Sequence, residues 1–394
     1  TLNLGTDGNW ATKKDTILAY NDENSNYKPL PFTFDRASSA TRVNKDGLIE
    51  TVGSGEPRID FKDNTKGALL LEPQRTNNLP KSERLDQWST PSNATVEYGF
   101  PDPFGGNKAV KSTSSSTDQS YQIYLGFTSA NTYNLSVYAK KGTAKVFRID
   151  FGTRDNGYFS VNLETGESAG TSGFSGMINT KIEPLDNDWY RISLTSTTVN
   201  PNYVRMGAKN QEGFLYMAFA QLEQGSYATS YIPTSGSAVT RVAESSSQTV
   251  PDGVIGQTEG TLYAQLGNIP SQAIDDVFVE LSDGTSNNRI LFYADSNGYI
   301  RNQIKASGSI SSLINTSVTV SSNMKIAITY KSNEAKVFIN GVQYGGTDTS
   351  VVVPSVNKMN LENFTGTRSQ SSSIRDLKLY NTALTDQELI ALTS

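Results

Sequence analysis

Apolar and polar residues alternate with a period of two along short segments of this chain. In residues 133–139 the odd positions are apolar, and after a turn at 140–143 the side chains of Phe147, Ile149 and Phe151 share one face. Such alternation buries one face of an extended strand, which argues against a mainly helical fold. The same pattern predicts strands at residues 68–71, 158–163, 189–195, 203–208, 214–222 and 325–330. Short strands separated by small polar residues, with no helices between them, predict an all-β protein built from antiparallel β-sandwiches.

Two local signals sharpen this prediction near the C-terminus. Asn340-Gly341 is the preferred pair for a two-residue type I′ hairpin, so the strand before it should return through residues 342–344. Thr385 followed by Glu388 forms a capping box, with Leu384 placed to pack on Leu389, and this predicts the one convincing helix of the chain.

Changes in composition divide the 394 residues into three regions and a linker. Residues 1–85 are irregular and poor in apolar groups, so they need another surface to pack against. Residues 86–242 carry the clearest alternation and predict one sandwich. Residues 243–253 are small and polar with Pro and Gly, which predicts a linker, and residues 254–394 predict a second sandwich.

The chain contains no histidine and no cysteine. It therefore lacks the commonest general base, the Ser-His-Asp and Cys-His catalytic arrangements, and disulfide bonds. We predict no enzymatic activity, no cofactor and no metal site. The 34 basic and 39 acidic residues are interspersed and sum to a net charge of −5, which argues against nucleic-acid binding. No stretch is apolar enough for membrane insertion.

Four segments of the first region resemble a part common to bacteriophage fibre and spike proteins. They read FDRASSATRVN at 34–44, GLIE at 47–50, PRID at 57–60 and LLEPQRTN at 70–77. WYR at 189–191 and AQLEQGSYATSYIPT at 220–234 are similar to the phage head-spike fibre domain, a jelly-roll sandwich like those of carbohydrate-binding modules. The resemblance implies that residues 1–85 anchor the protein to a virion.

The third region resembles the concanavalin A-like, or laminin-G-like, sandwich. IAITY at 326–330 followed by VFING at 337–341 fits its central hairpin, and IRDLKLYNTAL at 374–384 fits its usual end. This fold occurs in lectins, glycanases and adhesion modules, so the fold alone does not specify an activity.

Together the resemblances imply a fibre, spike or capsid-decorating protein on the surface of the phage particle. Its expected partners are host-surface polysaccharide or glycoconjugate and other virion proteins, and it is expected to be a homo-oligomer, with a trimer favoured. One alternative is an architectural virion component without glycan affinity. A second is a depolymerase of capsular polysaccharide.

Carboxylate pairs are the sequence feature that a depolymerase would need, because glycosidases act through two Asp or Glu residues. Asp275/Asp276 and Glu280/Asp283 are such pairs, but the closely spaced glutamates of concanavalin-like glycanases are absent and Glu362 stands alone. Tyr293 and Tyr299, near Arg289 and Arg301, could serve a histidine-free lyase, although tyrosines in alternating strands are usually packing residues. These groups are interpreted as non-catalytic.

Exposed aromatic side chains are the remaining candidates, because sugar rings stack on Trp and Tyr. The weak candidates for glycan binding are Trp10, Trp88, Tyr293 and Tyr299, whereas Trp189 is expected in a core. Residues 295–298, Asp-Ser-Asn-Gly, place oxygen ligands at alternate positions, but a hairpin turn explains them better than a calcium site.

Overall fold

The structure is a computed structural model that describes residues 1–23, 26–62, 64–92, 94–116, 121–124, 131–151, 157–172, 177–199, 203–209, 211–269, 276–361 and 372–394. Extended strands dominate these residues, and the predicted all-β fold with antiparallel sheets is confirmed. The described part of the chain contains one α-helix and three short 3₁₀ turns. No helix among the described residues is both long and apolar enough to span a membrane.

Nine short strands lie in the N-terminal region: β1 (Leu2–Leu4), β2 (Ala11–Lys13), β3 (Thr16–Glu23), β4 (Asn26–Asp35), β5 (Ala40–Val43), β6 (Ile49–Val52), β7 (Arg58–Asp60), β8 (Ala68–Leu71) and β9 (Arg75–Asn77). The middle region contains β10 (Ala94–Phe100), β11 (Ala109–Ser114), β12 (Tyr121–Tyr124), β13 (Asn131–Lys141), β14 (Val146–Phe151), β15 (Tyr158–Asn162), β16 (Glu167–Ser172), β17 (Met177–Pro184), β18 (Trp189–Val199), β19 (Tyr203–Ala208), β20 (Gly213–Gln224) and β21 (Val239–Arg241).

The C-terminal region contains β22 (Ser245–Thr249), β23 (Glu259–Leu266), β24 (Asp276–Ser282), β25 (Arg289–Ala294), β26 (Tyr299–Ala306), β27 (Ser309–Thr319), β28 (Lys325–Lys331), β29 (Glu334–Ile339), β30 (Val342–Asp348), β31 (Lys358–Asn360) and β32 (Ser372–Tyr380), followed by helix α1 (Asp386–Thr393).

Contacts group the chain into two compact units. The first unit comprises Thr1–Lys45, Thr51–Gln74 and Val242–Ser394, and the second comprises Asp46–Glu50 and Arg75–Arg241. This grouping differs from the predicted division, because most of residues 1–74 pack with the C-terminal region, from which they are distant in sequence.

The first unit is a sandwich of two antiparallel walls. The first wall runs in the order β3-β4-β22-β31-β24-β25-β26-β27. The second wall runs β8-β32-β23-β28-β29-β30, and β1 pairs with both β3 and β32, so it joins the walls. Apolar side chains of both walls form one core between them, and α1 covers the other face of the second wall through Leu389 against Tyr263 and Phe338.

The predicted irregular segment and linker are therefore parts of a sheet. Strands β1 and β8 pair with β32, and β22, within the predicted linker 243–253, pairs with β4 and β31. Alternation is hard to recognise in strands of three or four residues, and their hydrogen-bonding partners lie far away in the sequence. The apolar side chains of this region, among them Leu2, Phe32 and Leu69, are buried in the core of the first unit.

A buried ion network anchors the N-terminal motifs within the first unit. The side chain of Glu244 accepts hydrogen bonds from Arg36 Nη1 at 2.8 Å and from Arg58 Nε at 2.7 Å, and it also pairs with Arg58 Nη2. Arg58 Nη2 lies 2.9 Å from Glu72 Oε2, and the backbone N–H of Glu72 donates to Glu244 Oε2. Arg36 also donates to the backbone oxygens of Ser38, Gly53 and Glu56, and Arg58 donates to that of Thr41. Two arginines and two glutamates thus neutralise one another in the interior, which explains why the motifs contain Arg36, Arg58 and Glu72.

The second unit is also a two-sheet sandwich. A six-stranded sheet, β10-β11-β20-β13-β18-β17, faces a five-stranded sheet, β12-β19-β14-β15-β16, and β9 pairs with β21 alongside them. The core between the sheets is apolar. The outer face of the six-stranded sheet is covered by an aromatic cluster that includes Tyr138, Trp189, Phe219 and Tyr231. Trp189 is buried, but it lies in this outer cluster and not in the sandwich core, where the sequence placed it.

The local signals are also confirmed. Asn340 and Gly341 have φ of 47° and 81°, as a type I′ turn requires, and connect β29 to β30. At the start of α1 the hydroxyl of Thr385 accepts from the backbone N–H of Glu388, whose carboxylate accepts from the backbone N–H of Thr385 at 2.8 Å.

Candidate functional site

The face of the first wall that points away from the core carries a row of polar side chains. Val279 and Leu281 of β24 lie in the core, so Glu280 between them points outward. The same alternation turns outward Leu291 and Tyr293 of β25 and Arg301 of β26. We call this surface, from β31 to β27, the first-wall face.

Two tyrosines and an arginine form one end of the first-wall face. Tyr293 pairs across the strands with Arg301, and Tyr299 lies two residues before Arg301 on the same side. The Arg301 guanidinium lies 5.4 Å from the centre of the Tyr299 ring and 2.5 Å from Asp295 Oδ2, and it also donates to the backbone oxygen of Thr316. Tyr293 and Tyr299 therefore lie beside Arg301, as predicted, and the Arg301 guanidinium is held in one place. Arg289, predicted to lie near them as well, pairs with Lys305 at the other end of β25.

The centre of the first-wall face carries amide side chains and a shielded leucine. Arg289 donates through Nε and Nη2 to Gln303 Oε1 at 3.0 and 2.7 Å. Leu291 is only 2% exposed although it points away from the core, whereas Leu313 on the neighbouring strand β27 is 39% exposed. The first-wall face is therefore shielded from solvent at Leu291 and exposes an apolar side chain at Leu313.

Glu280 is the most unusual group of the first-wall face. Its side chain is fully buried, its Oε1 accepts from Asn360 Nδ2 at 3.2 Å, and its Oε2 has no hydrogen-bond partner. Burial raises the pKa of Glu280 to about 7, although the hydrogen bond from Asn360 and the charge of Arg289 act in the opposite direction. At neutral pH this carboxyl is partly protonated, so it can donate a hydrogen bond as well as accept one.

The predicted carboxylate pair Glu280/Asp283 is not a matched pair of acids. Asp283 lies in the turn after β24 and accepts from the N–H and hydroxyl of Thr285 and from Asn288 Nδ2. Burial acts to raise its pKa, but these hydrogen bonds together hold it below its usual value. Asp275 and Glu362 lie outside the described residues, and the side chain of Asp276 is not described. Among the described side chains that point outward from β24, β25, β26 and β31, Glu280 is the one carboxylate, whereas glycoside hydrolysis needs two.

The two tryptophan candidates are packing residues. Trp88 is 5% exposed within the core of the second unit, and its Nε1 donates to the backbone oxygen of Lys81 at 3.0 Å. Trp10 is half-buried against the core of the first unit, and a Cβ at Gly5 would lie 2.3 Å from its ring. The ring of Trp88 is too buried to stack on a sugar, and Trp10 packs closely against Gly5. Tyr293 and Tyr299 are the candidates that the structure brings to one surface.

The possible calcium ligands at residues 295–298 form a hairpin turn. Asp295 Oδ1 accepts from the N–H groups of Asn297 and Tyr299, and Oδ2 binds Arg301. Within the described part of the chain there is no group of three or more acidic side chains that could hold a metal ion.

A separate depression of about 390 Å³ lies beside β22 and β31 in the first unit, lined in part by Asp252, Gln257 and Asp283. Gln257 donates to the backbone oxygens of Ile255 and Val356 and accepts from Ser355, so it bridges the lining segments. Gln257 and Asp283 are thus used for internal bonding, which makes this depression a weaker candidate than the first-wall face.

Residues 242–390 match the concanavalin A-like lectin/glucanases superfamily (Laminin_G_3). The described strands of this segment lie in both walls of the first unit, in agreement with the resemblance proposed from sequence. The match spans the first-wall face, and its description includes both sugar-binding and sugar-cleaving proteins. No curated protein sequence matches the chain.

Several solved structures are similar in fold at low identity. The CBM40 of Ruminococcus gnavus IT-sialidase, bound to α2,3 sialyllactose, is 17% identical, with 35% of this chain and 84% of that chain covered and a TM-score of 0.31. Domain 4 of AbnA, a GH43 arabinanase of Geobacillus stearothermophilus, in complex with arabinotriose, is 16% identical, with 43% and 84% covered and a TM-score of 0.30. The SAP-like pentraxin of Limulus polyphemus is 14% identical, with 36% and 72% covered and a TM-score of 0.28. Similarity at this level does not indicate what this chain binds.

The sequence analysis missed two features of the first-wall face. It treated Glu280 only as half of a carboxylate pair, and it assigned no role to Asn360. The sequence did contain a signal for Glu280, which is the single acid within the apolar run of residues 277–281. Burying a lone carboxylate costs free energy, so its presence in such a run indicates a specific role.

Proposed function

We propose that this protein is a non-enzymatic glycan-binding component of a bacteriophage particle. It would act as a fibre, spike or capsid-decorating protein that contacts host-surface polysaccharide or glycoconjugate. The observation that carries the binding proposal is the first-wall face, where Tyr293, Tyr299 and Arg301 adjoin amide side chains. Aromatic rings beside fixed hydrogen-bonding groups are the usual means of holding a sugar ring.

The phage setting is supported by the N-terminal motifs. Arg36, Arg58 and Glu72 belong to those motifs and take part in the buried network around Glu244. A role for residues 1–85 in virion attachment, and assembly as a homo-oligomer with a trimer favoured, are further parts of the proposal. Sedimentation of the purified protein, and its stoichiometry in the particle, test them.

Glycan binding is tested with an array of bacterial surface polysaccharides, using the full-length protein. We expect Tyr293→Ala and Tyr299→Ala each to weaken binding to the best ligand at least ten-fold. Tyr98→Ala is the matched control, because Tyr98 is 39% exposed and belongs to the second unit. Undiminished binding by both first-wall variants would contradict the assignment of the site, and no binding to any array member would favour an architectural role.

The depolymerase alternative is tested on the same polysaccharides by measuring new reducing ends and the absorbance of unsaturated sugars. We expect no product above a heat-treated control, because Glu280 is the one carboxylate among the described side chains that point outward from β24, β25, β26 and β31. Product that disappears in Glu280→Gln would overturn the non-enzymatic proposal.

A further inference from the structure

The aromatic cluster on the outer face of the six-stranded sheet is only partly covered. Tyr138, Phe219 and Tyr231 of this cluster are between 2% and 3% exposed. Phe100 and Tyr216 pack against the same cluster but are half-buried. The aromatic face of the second unit is therefore closed to solvent in one part and open in another.

Three rings form the open part, which we call the aromatic strip: Phe100 of β10, and Phe214 and Tyr216 of β20. Leu215 and Met217 lie in the core, so the alternation of the strand turns Phe214 and Tyr216 outward. The centre of the Tyr216 ring lies 5.5 Å from that of Phe100 and 5.6 Å from that of Phe214. The rings are inclined to one another by 51° and 76°, so each offers a separate stacking surface.

Accessible polar groups of both signs border the aromatic strip. Across the strands Tyr216 pairs with Lys111 on one side and with Lys140 on the other, and Lys111 pairs with Glu97. Lys111 Nζ lies 3.1 Å from Glu97 Oε1 and 5.0 Å from the centre of the Phe214 ring. The side chains of Lys111 and Glu97 are 26% and 56% exposed. A molecule seated on the rings can therefore reach both a hydrogen-bond donor and an acceptor.

Two hydroxyl groups add to these polar atoms. The Tyr216 hydroxyl makes no hydrogen bond within the described part of the chain and is open to solvent. Thr113 pairs with Phe214 across β11 and β20, so it lies on the same face, and its hydroxyl is also open and without a partner among the described residues. Both hydroxyls can donate and accept hydrogen bonds.

Charge and size indicate what kind of molecule fits the aromatic strip. Lys111 is paired with Glu97, and the Lys140 ammonium donates to the backbone oxygen of Asn187 at 2.7 Å, so the surface carries little net charge. Three half-buried rings expose no more than about 300 Å², whereas a stable protein interface buries about 800 Å² on each partner. A small neutral molecule with apolar faces and hydroxyl groups matches these properties.

We propose that the aromatic strip binds a neutral saccharide. The apolar face of one sugar ring would stack on Tyr216, and that of the next on Phe100 or Phe214. Lys111, Glu97 and the Tyr216 hydroxyl would hydrogen-bond the sugar hydroxyls. The strip is a second binding surface, formed by the second unit alone, and it uses no residue of the first-wall face. The two surfaces can therefore fail independently.

The test is isothermal titration of the full-length protein with maltohexaose, cellohexaose, mannohexaose and chitohexaose. We expect at least one of them to bind, with an affinity that changes less than about two-fold when the salt is raised from about 50 to about 500 mM, because the site does not depend on unpaired charge. Tyr216→Ala should weaken this binding at least ten-fold, and Lys111→Gln at least three-fold. Tyr98→Ala is the matched control, because Tyr98 is 39% exposed on the same sheet but pairs with the core residue Val110, so its side chain lies on the other side.

The outcomes separate this site from the first-wall face. Lys111→Gln changes an accessible side chain, so it tests the site even if Tyr216→Ala does not fold. No binding of any hexasaccharide, or wild-type affinity in both variants, would overturn the inference. Binding that is lost in Tyr293→Ala but kept in Tyr216→Ala would also overturn it and leave the proposed function intact, whereas the reverse result would support it even if the first-wall assignment failed. Self-association in sedimentation that is lost in Tyr216→Ala would assign the strip to a second copy of the chain and would overturn the saccharide.

Discussion

Each unit of this protein buries an arginine–carboxylate network, and the two networks differ in how completely they are paired. In the first unit two arginines meet Glu72 and Glu244, and every guanidinium nitrogen of Arg36 and Arg58 donates a hydrogen bond. In the second unit Arg148 and Arg205 share Asp150, and Arg205 Nη2 is left over. A network in which every donor is paired stabilises the fold, whereas an unpaired buried donor costs free energy.

The largest effect in this comparison is expected from Glu244→Gln. The amide keeps the shape of the side chain but removes the charge that Arg36 and Arg58 share, so the first unit should lose about 3–5 kcal/mol of unfolding free energy. Denaturant unfolding followed by circular dichroism measures this loss. Asp7→Asn is the control, because its partner Lys66 and Asp7 itself are exposed, and no measurable change is expected. A wild-type transition in Glu244→Gln would mean that the network does not hold the first unit together.

The next effect is a pH dependence due to Glu280. Its folded pKa, about 7, lies above the ordinary 4.5, so the folded state binds a proton that the unfolded state has released between these values. The stability of the first unit should therefore fall as the pH rises from about 4.5 to about 7, by roughly 3 kcal/mol.

Glu280→Gln is expected to remove this slope and to stabilise the protein at pH 8. Urea unfolding at pH 5, 6, 7 and 8 provides the measurement, with Glu259→Gln in the same unit as the control that retains the slope. A slope that persists unchanged in Glu280→Gln would assign it to another group.

The smallest effect separates a paired hydroxyl from an unpaired one within the second unit. Thr229 donates to Glu223 Oε2 at 2.6 Å and accepts from Arg241, so Thr229→Val should cost about 1–2 kcal/mol. Ser160→Ala should change the stability by less than about 0.5 kcal/mol, because the hydroxyl it removes makes no hydrogen bond. Thermal unfolding of the two variants side by side is sufficient. A loss in Ser160→Ala as large as that in Thr229→Val would show that Ser160 is structurally paired, and the contrast between the networks would disappear.

The sequence by itself determined the features that depend on neighbouring residues. Alternation identified β14 and β19 with their observed bounds, because a strand that buries one face must repeat every second residue. Asn340-Gly341 specified the hairpin turn, and Thr385 with Glu388 specified the start of α1. Both depend only on contacts between residues no more than four positions apart.

Only the tertiary structure decided which distant segments meet. Strand β1 pairs with β32, Arg36 reaches Glu244, and residues 245–249 join a wall although their composition is that of a linker. A three-residue strand carries too little local preference to specify its partner, so its place depends on the core that the whole unit can bury. The same holds for the neighbours on each sheet face. The sequence supplied Tyr293, Arg301, Arg148 and Ser160 as ordinary strand residues, and strand register alone brought them together on sheet faces, because register fixes which side chains become neighbours.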